Sequence, residues 1–307
     1  MTTPGGAPPA AFRSGFVALI GRPNAGKSTL LNRLVGEKLS IVTPRPQTTR
    51  NRITGIRNAP GAQVVFVDTP GLNAASGKLG KFMRRTVELA LEDVDVICAI
   101  VDATARTHPD RLLLAELQAR STRTFCLLNK ADAVEPKSRM LPIIEAWRDA
   151  HSFAEILPIS ALDGTNCDRL GRLIVEAMPE HPAFFPGDTA TDQPETFYVA
   201  EVIREKVFLL TRDEVPYAVA VRVDELVEVQ QPPRLDIRAT VFVERDSQKG
   251  ILIGKAGGML KRIGIAARQE LEAFFGVQVF LGLTVQVRRD WRKDDHALRE
   301  FGFRLTS

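Results

Sequence analysis

The sequence predicts an α/β domain built on a phosphate-binding loop, followed by a smaller α+β domain. Three observations carry this expectation. The first is the run Phe16-Val17-Ala18-Leu19-Ile20, which leads into Gly21-Arg22-Pro23-Asn24-Ala25-Gly26-Lys27-Ser28-Thr29 and then Leu30-Leu31-Asn32-Arg33-Leu34. That order reads as strand, glycine loop and helix. The second is a pair of further apolar runs, residues 64–67 and 125–128, each closed by residues that carry chemistry. The third is a change of pattern after residue 195, where β-type alternation flanks a glycine turn between helical stretches. At 307 residues the chain exceeds the usual single core, and its 44% hydrophobic content is enough for two.

Each fixed position of the first loop has a mechanical reason. Gly21 and Gly26 let the backbone turn tightly and point successive N–H groups inward, while the helix start adds unpaired donors and the positive end of its dipole. Lys27 is spaced to reach β- and γ-phosphates, and Ser28 to place a hydroxyl on Mg²⁺. The whole stretch from Gly21 to Thr29 is therefore expected to wrap a nucleoside triphosphate.

Phe125-Cys126-Leu127-Leu128-Asn129-Lys130-Ala131-Asp132 selects the base. An Asp carboxylate accepts both guanine N1–H and the 2-amino group, whereas adenine offers no such pair of donors. Asp132 is the expected base reader, Asn129 ties this loop to the first, and the stem of Lys130 covers the ring. GTP over ATP follows.

Val64-Val65-Phe66-Val67-Asp68-Thr69-Pro70-Gly71 supplies the metal end. Asp68 belongs beside Mg²⁺, and the Gly71 amide is placed to sense the γ-phosphate, with Thr69, Pro70 and Leu72 alongside. The stretch 72–81, rich in Gly, Ser and Asn, suits a segment that orders with GTP and loosens with GDP. Upstream, Thr43-Pro44-Arg45-Pro46-Gln47-Thr48-Thr49-Arg50 offers two hydroxyls to the metal, Thr48 and Thr49, of which Thr49 is favoured. A last box, Ile159-Ser160-Ala161-Leu162, offers Ser160 and Ala161 N–H groups to guanine O6.

Taken in order, these five boxes resemble the GTPase domain of translation-factor type. The second of them, Pro46-Gln47-Thr48-Thr49-Arg50 followed by Asn51-Arg52-Ile53-Thr54-Gly55-Ile56, is similar to that of the Era family of bacterial ribosome-assembly GTPases. The resemblance implies an α/β P-loop GTPase domain followed by an α+β type II KH domain. It implies as partner the single-stranded 3′ end of 16S rRNA, and a role in 16S rRNA processing and small (30S) subunit biogenesis. It also brings peripheral contact with the cytoplasmic face of the membrane.

The C-terminal half contains Ile253-Gly254-Lys255-Ala256-Gly257, the Ile-Gly-x-x-Gly signature of a KH domain. Such a turn brings bare backbone to a nucleic-acid strand and clamps about four nucleotides. Lys249, Lys255, Lys261, Arg262 and Arg268 surround it to neutralise phosphates. Ile251, Ile253 and Ile263 are expected to line the groove for bases. Strands over 218–229, 235–244 and 277–287, a helix over 265–275 and a preceding helix over 196–210 give the type II order.

The expected organisation is a disordered lead over 1–11, a GTPase domain over 12–178, a Pro-punctuated linker over 179–195, a KH domain over 196–290 and a tail over 291–307. Trp291 in the tail is read as core in preference to a base-stacking platform. Net charge is only +4, so a local basic face matters more than global basicity. No signal-peptide pattern and no run of about 18 apolar residues occurs. Cys98, Cys126 and Cys167 are unclustered, which suits a reducing cytoplasm. A monomer without a DNA partner is expected.

Where a Ras-like enzyme has a water-orienting Gln, this chain has Leu72. Slow hydrolysis follows unless another group completes the site. Asn24 has two readings here: it holds K⁺ beside the phosphates, as among similar GTPases, or it shapes the loop through a side-chain to backbone bond. Alternatives in class are a membrane-associated signalling GTPase and a GTPase acting on another RNA.

Overall fold

The computed structural model describes residues 12–72, 77–105 and 109–303. The expected lead over 1–11, part of the 72–81 segment and the end of the tail lie outside the described residues.

The first domain runs β1 (Arg13–Gly21), α1 (Lys27–Val35), β2 (Ile53–Ala59), β3 (Ala62–Asp68), α2 (Gly77–Ala90), β4 (Val96–Asp102), α3 (Arg111–Gln118), β5 (Arg123–Asn129), α4 (Met140–Ala150), β6 (Glu155–Pro158) and α5 (Cys167–Ala177). Its six strands lie in the order β2-β3-β1-β4-β5-β6, parallel except for β2, which hairpins onto β3. Alternation along β1 decides which side chains meet which helices. Val17 and Leu19 join Leu30, Leu31 and Ile174 on one face. Ala18 and Ile20 join Val87, Leu113, Ile143 and Trp147 on the other. Covering both faces in this way is what a parallel sheet requires, and it leaves the carboxyl ends of β1, β3 and β5 open as a crevice.

The connecting segment is fastened along the sheet edge. Gln63 Oε1 accepts from Phe184 N and Phe185 N at 2.8 and 3.0 Å, Ile56 N donates to Ala190 O at 2.7 Å, and Thr191 Oγ1 donates to Thr54 O at 2.6 Å.

The second domain runs α6 (Glu195–Leu210), α7 (Val215–Ala218), β7 (Ala220–Gln230), β8 (Pro233–Val243), α8 (Asp246–Ile253), α9 (Gly258–Phe275), β9 (Gln278–Val287) and α10 (Asp295–Glu300). Central β8 is antiparallel to β7 and parallel to β9. Its inward residues, Ile237, Ala239 and Val241, pack on Val199, Val202 and Ile203 of α6 and on Ile263, Ala267 and Leu271 of α9. Helix α9 starts at Gly258, seven residues before the expected 265, and the short α7, outside the expected elements, precedes β7. The expected groove residue Ile263 is wholly buried in this core, so it cannot meet a base.

Trp291 is also wholly buried. Its Nε1 donates to Ala218 O at 2.8 Å, and it packs with Phe301 and Phe303 against Leu79 and Met83 of α2. A side chain of this size at full burial contributes on the order of 3–5 kcal/mol. The tail therefore belongs to the packed interface between the two domains.

Candidate nucleotide site and nucleic-acid groove

A cleft of about 760 Å³ opens at the carboxyl ends of the strands, lined by Gly26, Lys27, Ser28 and Thr29 at one end and Asn129, Lys130 and Asp132 at the other. The loop closing β1 depends on glycine. A Cβ on Gly21 would stand 2.2 Å from Ile100 O, and Gly26 has φ +99° with the Asn129 amide 2.1 Å from where a Cβ would be. Lys27 folds back over the loop, its Nζ donating to Gly21 O and Arg22 O at 3.2 and 3.1 Å. Burial pulls the ammonium down to about 8, with the nearby Asp68 carboxylate pulling the other way.

At the end of β3 three hydroxyls meet one carboxylate. Ser28 Oγ and Ser40 Oγ donate to Asp68 Oδ2 at 2.7 and 3.0 Å, and Thr49 Oγ1 stands 2.9 Å from Ser28 Oγ. Asp68 Oδ1 is buried without a partner, and burial raises its carboxyl pKa despite Lys27. A carboxylate with hydroxyls gathered on one oxygen and no partner on the other is the donor set of a hard divalent cation such as Mg²⁺. Thr48 faces away, its Oγ1 bonded to Thr43 Oγ1 and Arg45 O at 2.6 and 2.8 Å. The sequence did not single out Ser40.

The far end is held by Asn129. Its Nδ2 donates to Ala25 O at 2.7 Å, and its Oδ1 accepts from Ala161 N at 2.9 Å. Lys130 sits at φ +64°, with Nζ 2.6 Å from Asp102 Oδ2. Asp102 went unremarked in the sequence, although it closes an apolar strand as Asp68 and Asn129 do. Ser160 N donates to Thr165 O and its Oγ accepts from Asp163 N. Both amides expected at guanine O6 are thus engaged, and Ala161 N would reach a ring oxygen only by sharing its bond to Asn129.

Other expected residues shape the walls. Arg22 pairs with Asp110 outside the cleft. Thr69 is turned inward, donating to Leu19 O at 2.8 Å, and Pro70 is buried beside it. The Leu72 side chain joins the α2–α4 core while its N–H donates to Gly21 O at 3.0 Å. A Cβ on Gly71 would lie 2.7 Å from Pro23 N, so only glycine lets the third box lie this close to Pro23. Asn24 Nδ2 donates to Pro44 O at 2.8 Å, the loop-shaping bond of its two readings.

In the second domain, Gly254-Lys255-Ala256-Gly257 joins α8 to α9, with φ +71° at Gly254, +50° at Ala256 and +76° at Gly257. Lys255 and Ala256 are exposed at its tip. Beside it runs a groove of about 360 Å³ whose apolar wall is Leu260, Ile265, Phe280, Leu281 and Leu283, with Lys261 and Arg268 also on it. Phe280 is 60% exposed, a large ring open to stacking. Ile251 is exposed and Ile253 half-buried on α8, and neither lines this groove. Lys249 and Arg262 are on α8 and α9, also outside its lining.

Fold and clefts together define a P-loop GTPase carrying a KH domain. Residues 16–130 match the family described as 50S ribosome-binding GTPase, and residues 214–292 match the KH domain family. GTPase Era of Syntrophus aciditrophicus is 50% identical over 293 residues, covering 95% of each chain. GTPase Era of Geobacter metallireducens is also 50% identical, covering 95% of this chain and 98% of its own. A crystal structure of Era in complex with MgGDPNP and nucleotides 1506–1542 of 16S ribosomal RNA superposes with a TM-score of 0.92. It is 40% identical and covers 96% of this chain and all of its own. A point variant of Era from Aquifex aeolicus bound to GDP·AlF₄⁻ gives the same score, identity and coverage. The chain belongs to the Era family of GTPases.

Proposed function

We propose that this chain is a GTP-hydrolysing switch that binds the 3′ end of 16S rRNA and assists maturation of the small ribosomal subunit in the cytoplasm. The carrying observation is the presence, in one chain, of the phosphate-loop cleft and the glycine-turn groove, aligned over nearly their whole length with an Era bound to both ligands. The small subunit is preferred to the 50S particle named for the broader GTPase family because that RNA is 16S.

The residues fit Mg·GTP. Backbone N–H groups of residues 21–29 would cradle the phosphates, with Lys27 on the β- and γ-oxygens. Ser28 and Thr49 would hold Mg²⁺ directly and Asp68 through water, supplying charge neutralisation at the leaving group. Asp132 reads the base, and the Gly71 N–H faces the γ-phosphate. On the RNA side, Gly254 and Gly257 admit the strand, Lys255, Lys261 and Arg268 neutralise phosphates, and Ile265 and Phe280 take bases. Lys249, Arg262, Ile251 and Ile253 form the outer flank.

Titrating the protein, loaded with a non-hydrolysable GTP analogue or with GDP, into labelled RNA matching the 16S 3′ end tests this reading. Binding should be tighter with the analogue and lost in Gly254→Asp, whose Cβ would stand 2.8 Å from Met259 N. Equally weak binding in every case would overturn it. Sedimentation with anionic liposomes then tests the peripheral membrane reading; no helix among the described residues is long and apolar enough to cross a bilayer.

Leu72 supplies no polar group for the attacking water, so catalysis leans on charge. Asn24, freed from Pro44, would hold K⁺ against the phosphates. Hydrolysis is expected to run several-fold faster in K⁺ than in Na⁺ at equal ionic strength, and equal rates would leave Asn24 with its loop-shaping role alone.

A further inference from the structure

We propose that Arg204, on helix α6 of the RNA-binding domain, is a positioning residue for GTP hydrolysis: it aims the Thr49 hydroxyl at Ser28 and Asp68. The inference rests on the nucleotide reading above and adds the source of that site's order.

Thr49 lies between two residues that the second domain holds. On one side the Thr48 carbonyl accepts from Arg204 Nη2. Arg204 is itself fixed by Glu201, which takes its Nε at 2.7 Å and its Nη2. On the other side the Arg50 guanidinium donates to Val219 O at 2.7 Å, Pro216 O at 3.1 Å and Tyr217 O at 3.2 Å. Both guanidinium groups lie over the Phe208 ring, at 5.7 Å for Arg50 and 5.4 Å for Arg204. Further upstream, Val42 N donates to Glu205 Oε1 at 3.0 Å.

The burial shows that this is a built contact. Arg50 is 2% exposed, Arg204 3% and Glu205 2%. Buried charges are retained where partners hold them: all three Arg50 bonds cross to the second domain, while Arg204 pairs with Glu201 on its own helix and crosses to Thr48 O, its Nη1 buried without a partner. Peptide planes are rigid, so fixing the Thr48 carbonyl and the Arg50 side chain leaves Thr49 little freedom to turn. Within the first domain, the segment near this point is tied by the Thr49 hydroxyl itself, at Ser28 and Asp68, and by the exposed bond from Asn24 to Pro44 O. The RNA-binding domain in this docking therefore completes the metal corner of the GTPase site, acting through Thr49 without touching substrate.

The test uses the full chain. Arg204→Met combined with Glu201→Leu removes the pair without stranding a buried charge, and Arg204→Lys retains a cation for Glu201 but lacks the planar fork that also reaches Thr48 O. Single-turnover GTP hydrolysis and retention of a GTP analogue are measured across a Mg²⁺ titration, with GDP affinity in EDTA as the control. Both variants should need about 10-fold more Mg²⁺ for half-maximal retention and hydrolyse GTP about 10-fold more slowly, while Mg²⁺-free GDP affinity stays within about twofold. Wild-type Mg²⁺ dependence and rate in a folded variant would overturn the proposal, and so would parallel loss of GDP affinity and melting temperature with the Mg²⁺ midpoint unmoved. Should the double variant fail to fold, Arg204→Lys decides. Absence of GTP hydrolysis in the wild-type chain would instead refute the function itself.

Discussion

Replacing Asp132 with asparagine is expected to lower GTP affinity by about 10⁴-fold, the scale on which a site rejects a ligand that leaves its polar groups unpaired. The loop around this residue is fixed independently of its carboxylate. Ala131 N donates to Ile159 O, and Lys137 Nζ bonds Ala131 O and Asp132 O at 3.0 and 2.9 Å. The substitution should therefore change chemistry and leave geometry alone. An amide in this place accepts from guanine N1–H but opposes its own N–H to the 2-amino group. Xanthine keeps N1–H and carries a carbonyl at position 2, so xanthosine triphosphate should gain what GTP loses. Competition of both nucleotides against a fluorescent GDP measures the exchange; GTP affinity retained within about tenfold would show that another group reads the base.

Lys27→Met should weaken GTP binding by about 100-fold, the scale of a lost hydrogen bond to a charged group, and should also remove a pH dependence. In the ligand-free fold the Lys27 pKa lies near 8, against 10.5 when unperturbed. That difference corresponds to about 3 kcal/mol of penalty on the buried ammonium. Between these two values the unfolded chain binds more protons, so this lysine makes the free protein more stable as pH rises from 8 to 10.5. Phosphates reverse the preference by restoring the charged form. GTP binding should then take up a proton, and affinity should fall above pH 8 by up to about tenfold per pH unit. Calorimetry at pH 8.5 in two buffers of different ionisation enthalpy reads the uptake directly. The variant should show neither this uptake nor the lysine's share of the rise in melting temperature, and an unchanged uptake would assign the proton elsewhere.

The nucleotide site was legible because short motifs of fixed spacing close its strands, so Lys27, Asp68 and Asn129 could be placed from the apolar runs and the boxes that follow them. Ser40 was not, because its hydroxyl reaches Asp68 across a loop that no periodicity describes. The groove of the second domain was half legible. Its turn announced itself, but Phe280, Leu281 and Leu283 come from β9, beyond the whole of α9, and only parallel pairing with β8 brings them there. Ile263 belongs to the core because α9 starts at Gly258 and not at 265. From Gly258 onward, Ile263, Ala267 and Leu271 fall four apart, the spacing of an inward stripe. The contacts of Arg50 and Arg204 had no sequence signal, since charged residues are ordinarily read as solvated.

The fastened connecting segment limits what motion between the domains can be. Thr191 is tied to Thr54 O and α6 begins at Glu195, which leaves Asp192, Gln193 and Pro194 as the span between, with Gln193 N–H donating back to Thr191 Oγ1 at 3.2 Å. Three residues reach at most about 10 Å. Any rearrangement between the domains must therefore be a rotation about residues 192–194, since the KH domain cannot be paid out on a tether. Such a rotation presents the glycine turn toward or away from an approaching strand while its distance from these residues stays constant. A change of docking between the domains would alter the angle at which a strand is met and not the reach of the domain that meets it.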